Sequence, residues 1–224
     1  KSKYTRCKAL GIRLITVYED EWVRNSPLVM QKLSSILNVD DRPKVNARQC
    51  EIINVSSDQR REFLTANHIQ GDGPGSITYG LQHQGDLVAV MTFVAQSNDT
   101  FTLSRFATSS RVVGGFTKLV KHFQRNNIWR RVVSFADLRW SDGNMYSSNG
   151  WTMEKELPPD YQYIINGVTH HKFAFRHSAL KNKLDNYDPT LSEWENMKAH
   201  QYDRIWDCGK LRFAIENTGT SNEV

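Results

Sequence analysis

The chain has 224 residues, 39% of them hydrophobic and 24% charged, with a formal net charge of +5 at pH 7. These are the proportions of a soluble globular protein and exclude a disordered or fibrous one. No apolar run approaches the ~20 residues that a bilayer-spanning helix needs. Three cysteines, Cys7, Cys50 and Cys208, lie far apart in sequence and form no C-x-x-C pair, so reduced structural thiols are expected rather than a zinc site or a disulfide framework. The chain opens at Lys1 without a methionine or a signal-peptide pattern, as a processed chain or a fragment does.

In chain order, residues 1–24 read KSKYTRCKALGIRLITVYEDEWVR. A polar, basic helix is expected to end at Gly11, a residue suited to the left-handed position after a helix. Ile12, Leu14, Ile15 and Val17 then make a β-rich run, closed by an acidic turn of Glu19, Asp20 and Glu21. Ser26-Pro27 opens a second helix, with Pro27 in its first turn and Leu28, Val29, Leu33, Ile36 and Leu37 on one face. Helix, strand and helix in about 40 residues are too few for a stable core, so residues 1–40 read as the end of something larger. Asp40-Asp41-Arg42-Pro43 is the turn-rich boundary.

Residues 51–55 read as a strand, and Ser56-Ser57-Asp58 followed by QRREFLTANH as a capped helix that packs through Phe63 and Leu64. His68 ends that helix, where the dipole favours an imidazole without any further role. A loop with Gly71, Gly73 and Gly75 follows. Strands at 77–81 and 87–93 form a hairpin, and 101–106 is a third strand. Gly114-Gly115 opens an amphipathic helix with Phe116, Leu119, Val120 and Phe123 on one face and Lys118, Lys121, His122 and Arg125 on the other. A buried strand at 131–136, a polar loop at 137–144, a short helix at Tyr146 and a strand near Met153 come next. Asn166-Gly167 marks a hairpin between 161–165 and 172–176. The tail holds a helix capped by Thr190-x-x-Glu193 and a strand at 210–215. Its Trp194, Tyr202 and Trp206 either pack or stack on bases, and 217–224 is expected to be disordered.

Charge is unevenly spread. Between Phe101 and Trp140 the chain carries Arg105, Arg111, Lys118, Lys121, Arg125, Arg130, Arg131 and Arg139 against one acid, Asp137. Such clustering points to a polyanionic partner, double-stranded DNA first, with Lys118, Lys121, Arg125, Arg130, Arg131 and Arg139 on phosphates. A solvated basic helix face is the alternative.

Three family resemblances rest on these residues. GIRLITVYEDEW with the helix after it resembles the end of the very-short-patch-repair-type (PD-(D/E)XK) nuclease fold of phage homing endonucleases of the EDxHD kind, with Thr16 where that motif carries His. YDRIWDCGKLRF resembles the tail of the same family. The resemblance implies that Glu19 or Asp20 belonged to a metal site whose partner carboxylates are absent here, so this segment alone does not cut DNA. The order of elements from 51 onward resembles the GNAT acetyltransferase superfamily, in which a turn matched by Arg111-Val112-Val113-Gly114-Gly115 binds the coenzyme A pyrophosphate. That resemblance implies Arg111, Val113, Gly114 and Gly115 as cofactor residues, with Phe116, in place of a small residue, crowding the pyrophosphate. MYSSNGW at 145–151 resembles the tyrosine segment of that superfamily. Within the fold, Mom-type phage DNA-modification proteins share a His after the first helix (His68), an L-x-R-F strand containing Arg105, and a segment with Asp137, Gly143, Tyr146, Gly150 and Trp151. This implies carbamoylmethyl transfer to adenine, with iron held by His68 and Asp137 as the candidate metal.

Two readings of the residue chemistry stay open. In one, Asp137 acts as base, metal ligand or amine acceptor, Tyr146 as general acid or stacking surface, and Arg105 as an anion holder, with His68 completing the catalytic set. In the other, Asp137 pairs with Arg139 or Arg105 and Tyr146 fills core. The expected fold is α+β, a GNAT-like mixed and mostly antiparallel sheet with flanking helices over 45–178. A helix–strand–helix nuclease-like remnant (1–40) precedes it and a helix–strand tail (179–224) follows. The expected function is a phage-type DNA-binding protein, cytoplasmic in an infected bacterial host, forming the DNA-targeting part of a homing-endonuclease-like protein. The alternative is a Mom-like adenine-modifying transferase or an acyl-CoA-dependent N-acyltransferase, the latter set back by Phe116.

Overall fold

The computed structural model describes residues 2–219. Helix α1 (Ser2–Ala9) closes with Ile12 N–H donating to Cys7 O at 2.9 Å while Gly11 takes a φ of +70°, the closure expected of a glycine just past a helix. The β-rich run after it forms no strand: residues 12–18 have no ladder, because β-branched propensity without a partner edge does not make a sheet. Nor is the acidic triplet a turn. Glu19, Asp20 and Glu21 form the first turn of α2 (Glu19–Ile36), where the positive end of the helix dipole favours them. Asn25 breaks α2 with a φ of −154° and a ψ of 62°, and its Oδ1 accepts from Leu28 N–H at 3.2 Å, so Pro27 does stand in a first turn, that of the second half. No helix is long and apolar enough to cross a membrane among the described residues.

The next elements are β1 (Lys44–Asn46), β2 (Glu51–Asn54), α3 (Ser57–Asn67), β3 (Ile77–His83), β4 (Asp86–Ala95) and β5 (Thr100–Thr108). After them come β6 (Arg111–Val113), α4 (Gly115–Asn126), β7 (Arg131–Asp137), α5 (Asn144–Ser147) and β8 (Thr152–Leu157). The chain ends with β9 (Tyr161–Ile165), β10 (Val168–His171), α6 (His177–Leu180), α7 (Glu193–Ala199), β11 (Asp203–Trp206) and β12 (Lys210–Glu216). The described residues fall into two compact units that alternate along the sequence, one of residues 2–24, 137–142 and 156–210, the other of 25–136, 143–155 and 211–219.

The larger unit is built on a seven-stranded sheet in the order β2-β3-β4-β5-β7-β12-β8, with β2 to β5 antiparallel neighbours and β5 parallel to β7. Helix α4 covers one face, where Phe116, Leu119, Val120 and Phe123 are buried with Met91, Phe93, Phe101 and Leu103. Helix α3, held by a Ser56–Gln59 capping box, covers the other with Phe63 and Leu64 against Val90 and Ala107. This is the α+β arrangement that the sequence led us to expect, a mixed and mostly antiparallel sheet with flanking helices.

Strand β5 has two irregularities. Phe93 opposes Leu103 and Thr92 opposes Arg105, so Ser104 is an extra residue, a β-bulge. The bulge reverses the alternation of faces: Phe101 and Leu103 lie on the α4 side, and beyond it Phe106 packs on Phe116 of α4 while Ala107 lies on the α3 side. Arg105 therefore belongs to the α3 face. Further, β5 pairs with β7 only from Thr100 to Thr102, against Arg131 to Val133, although both strands run on. Leu103 O accepts instead from Ser134 Oγ at 2.9 Å.

The smaller unit has a three-stranded sheet, β10-β9-β11, all antiparallel. Asn166 and Gly167 make the expected hairpin turn with φ of +52° and +75°. A two-residue turn puts the return strand directly after it, so β10 is 168–171, and 172–175 is a 3-10 turn instead of the expected strand. Tyr163, Phe175, Leu180, Leu184 and Met197 form its core. The box on α7 uses Ser192 and Glu195, not Thr190 and Glu193, because Thr190 N–H and Oγ1 are both given to Asp188 Oδ1. Residues 220–224 of the expected disordered end lie outside the described residues.

Candidate functional site

Helix α4 begins at a glycine. Gly114, the N-cap, has a φ of +77°, makes no side-chain cap, and no acid follows it in the first turn. The leading N–H groups of the helix, which have no intrahelical partner, are thus left with the positive end of the dipole uncompensated. Gly115 is buried, since a Cβ there would stand 2.9 Å from Val112 Cγ1. Parallel pairing of β1 with β6 brings 44–46 alongside 111–113. Between that pair and α4 runs a groove of about 830 Å³ with Arg48, Lys118, Lys121 and Arg125 on its walls and no acid among its lining residues. Lys118 Nζ donates to Ala47 O at 2.9 Å and to Cys50 O at 2.6 Å, which fastens the 47–50 segment to the helix. Lys121 and Arg125 stay exposed.

The structure sorts the expected binding residues. Val113 and Gly114 line the groove, Gly115 lies buried behind it, and the exposed Arg111 is not in its lining. Phe116 does not obstruct the helix start. Its ring is buried, edge-on to Phe106 and Tyr146 with centroids 5.4 and 5.6 Å apart, so it points into the core and not over the leading N–H groups. Of the expected phosphate contacts, Lys121 and Arg125 face solvent, while Arg130 donates to Asn98 O and Thr100 Oγ1. Arg131 pairs with Glu154 and Glu216. Arg139 is only 2% exposed and is withdrawn from any phosphate-facing surface. Asn46, Arg48 and Thr117 also line the groove. Sequence reasoning missed Asn46 and Arg48, because only the β1–β6 pairing brings 46–48 to α4, and Thr117, an uncharged residue between the two faces of the helix, gave no signal.

The expected catalytic residues are divided between the two units, His68, Arg105 and Tyr146 in the larger and Asp137 in the smaller. Tyr146 is buried, stacked on Phe213 at 4.9 Å, with its hydroxyl 2.9 Å from Ser134 Oγ. Burial pushes its pKa up against the opposing pull of that hydrogen bond, so the phenol is a core group. Asp137 belongs to the smaller unit, where its Oδ1 accepts from Arg139 N–H at 3.0 Å and its Oδ2 from Arg139 Nε and Nη2 at 3.2 and 3.1 Å. Arg139 continues to Glu21 with two 3.0 Å bonds, and Asp20 Oδ2 accepts from Thr169 N–H and Oγ1. Pairing of Asp137 and core packing of Tyr146 are thus the observed alternatives. His68 and Asp137 fall in different units, and among the described residues no three His, Cys, Asp or Glu side chains converge as metal ligands. The iron implied by the Mom-type resemblance has no ligand set among the described residues.

His68 and Arg105 do come together in the larger unit. Burial, first, and the nearby Arg105 guanidinium, second, push the His68 pKa down to about 3. Burial likewise lowers that of Arg105, with Asp72 opposing.

No family model and no curated protein matches the sequence. Among solved structures, the chain is similar to an IAA acetyltransferase from Bacillus cereus, at 11% identity and a TM-score of 0.43, over 75% of this chain and 99% of that one. An acetyltransferase from Bacillus subtilis in complex with CoA is similar at 9% identity and a TM-score of 0.43, over the same shares. A GNAT family acetyltransferase from Elizabethkingia anophelis with acetyl-CoA bound is similar at 9% identity and a TM-score of 0.42, over 75% and 99% of the two chains.

Proposed function

We propose that the chain binds an acyl-CoA-type cofactor at the α4 groove and acts as an N-acyltransferase. The observation that carries this reading is the parallel β5–β7 pair that opens after three residues, with the glycine-capped first turn of α4 resting on the opened part of β5 through Phe116 and Phe106. Opened strands leave backbone N–H and C=O groups that an extended, amide-bearing chain satisfies as an added strand does. A pyrophosphate suits the leading N–H groups of α4, and Lys121 and Arg125 suit further negative charge. Bound there, the cofactor supplies an activated acyl thioester for transfer to an amine. The protein's own part is binding and orientation: Gly115, Phe116 and Thr117 N–H groups hold phosphate, and Lys118 keeps the groove wall in place. Tyr146 receives no proton-transfer role, because its hydroxyl is bonded to Ser134.

Calorimetric titration with acetyl-CoA tests the reading. Saturable binding is expected, weakened about tenfold to a hundredfold in the Lys121→Glu/Arg125→Glu variant, since a hydrogen bond to a charged group contributes about 1.5–3 kcal/mol. Absence of binding, or equal binding by both proteins, overturns it.

Duplex DNA is a second reading, favoured by the exposure of Lys121 and Arg125 one turn apart on α4. With Lys118 bonded to backbone carbonyls, Arg131 paired with Glu154 and Glu216, and Arg139 buried, the remaining footprint is small. Fluorescence anisotropy on a duplex is expected to give a log-affinity slope against log salt of about −2 to −3, from roughly −0.9 per phosphate neutralised. A flat salt response excludes this reading.

A further inference from the structure

We propose that Arg105 and His68 form a binding site, on the α3 face of the main sheet, for a small ligand bearing a carboxylate. The proposal is independent of what the α4 groove binds. It starts from the bulge at Ser104, which turns Arg105 away from the α4 core and toward the end of α3, where His68 is the C-cap. Bulges beside sites re-aim single side chains in this way.

The guanidinium is then fixed. Arg105 Nε donates to Gly71 O at 3.1 Å and Nη1 to Ser104 O at 2.8 Å. Gly73 lies directly against it, since a Cβ there would be 3.0 Å from Nη2. Ser104 Oγ donates to Pro74 O at 3.0 Å, so the bulged residue anchors the same glycine-rich loop. Carbonyl oxygens alone do not neutralise an arginine, and a half-buried guanidinium without a carboxylate is costly. The acid whose charge reaches it, Asp72, is already held by Arg60 in a two-point pair of 2.9 and 3.1 Å.

His68 supplies the second donor. Its Nδ1 accepts from Gln70 N–H at 3.1 Å, which places the proton of the neutral ring on Nε2. Neither that N–H nor Arg105 Nη2 has a protein acceptor among the described residues, and neither is sealed from solvent. Two fixed donors, one of them on a neutral ring, suit the two oxygens of a monoanionic carboxylate, and the charge of Lys32, which also acts on His68, adds to the attraction. Burial first, and then the charges of Arg105 and Lys32, hold the imidazole pKa down, and a bound anion offsets the two charges.

The test is a titration of the full chain with sodium acetate and, separately, with inorganic phosphate at constant ionic strength, followed through the His68 side-chain 15N resonances. Acetate is expected to move those resonances saturably and to raise the His68 pKa by at least one unit. His68→Gln, which leaves the Arg105 contacts intact, is expected to weaken acetate binding threefold to tenfold, read from the loop amides of Gly71 and Gly73. Arg105→Lys should retain only part of the response, and Arg105→Gln none. The backbone amide spectrum shows whether each variant is folded, and the His68→Gln result stands even where an Arg105 variant is not. No saturable shift in the wild-type protein, equal affinity in His68→Gln, or tighter binding of phosphate than of acetate each overturns the proposal.

Discussion

Arg139→Ala is expected to lower the free energy of unfolding by about 3–5 kcal/mol, the cost of breaking a buried ion pair from one side. Arg139 is 2% exposed and Glu21 6%. Its guanidinium gives two hydrogen bonds to Glu21, reaches Asp137 through Nε and Nη2, and lies 3.8 Å from the centroid of the Tyr18 ring. Burial alone would lower the arginine pKa, but Asp137 and Glu21 more than offset it and hold it above its ordinary value. Alanine leaves two carboxylates in the same place with no counter-charge. Urea unfolding followed by tryptophan fluorescence measures the loss, and a change below about 1 kcal/mol would mean that solvent screens the pair as it does on a surface. Replacing Arg139 together with one of its acids, as in Glu21→Gln/Arg139→Met, should cost less than Arg139→Ala, because Asp137 is then the one carboxylate left without its counter-charge instead of two.

Gly143→Ala is the second large effect. Gly143 has a φ of +84°, and a Cβ there would stand 2.5 and 2.6 Å from Phe213 Cζ and Cε2. Left-handed backbone costs an alanine about 1–2 kcal/mol, and overpacking a core about 1–3 kcal/mol more, so a loss of about 2–5 kcal/mol is expected. Phe213 is 2% exposed and carries the stacked ring of Tyr146, hence the clash has no flexible tail to absorb it. Thermal unfolding of the variant at an unchanged midpoint would refute the assignment of this segment to core packing. Gly143, Tyr146 and Trp151 then belong to a packed aromatic cluster, in which Tyr146 and Trp151 centroids are 5.4 Å apart.

How far the fold could be read in advance depended on the range of the forces involved. Helix α4 was legible because its apolar period and its Gly114 start are local, and the Asn166-Gly167 hairpin because the turn type dictates those residues. The failures are long-range. Residues 12–17 have strand composition, yet a strand needs an edge that sequence does not display. Arg139 looked like part of a basic face until Glu21, 118 positions away, was found beneath it. The exception is local: Thr190 and Ser192 both have cap chemistry, and Asp188, two residues before Thr190, takes the N–H and hydroxyl of Thr190. At the candidate site, the helix start and the exposed Lys121 and Arg125 were legible, whereas Arg48 enters only through the pairing of β1 with β6.

Ser104 has a consequence for how this protein can change. A strand repeats every two residues, so its two sides normally evolve in lockstep, each position committed to core or to surface from end to end. The inserted residue works as a phase shifter: the segment before it and the segment after it assign odd-numbered positions to opposite sides of the sheet. Deleting Ser104 would drive Arg105 into the layer under α4 and swing Phe106 out of it, inverting half a strand with one codon. Keeping it lets the polar side be retuned for a new ligand, one substitution at a time, without disturbing a single aromatic contact beneath the helix.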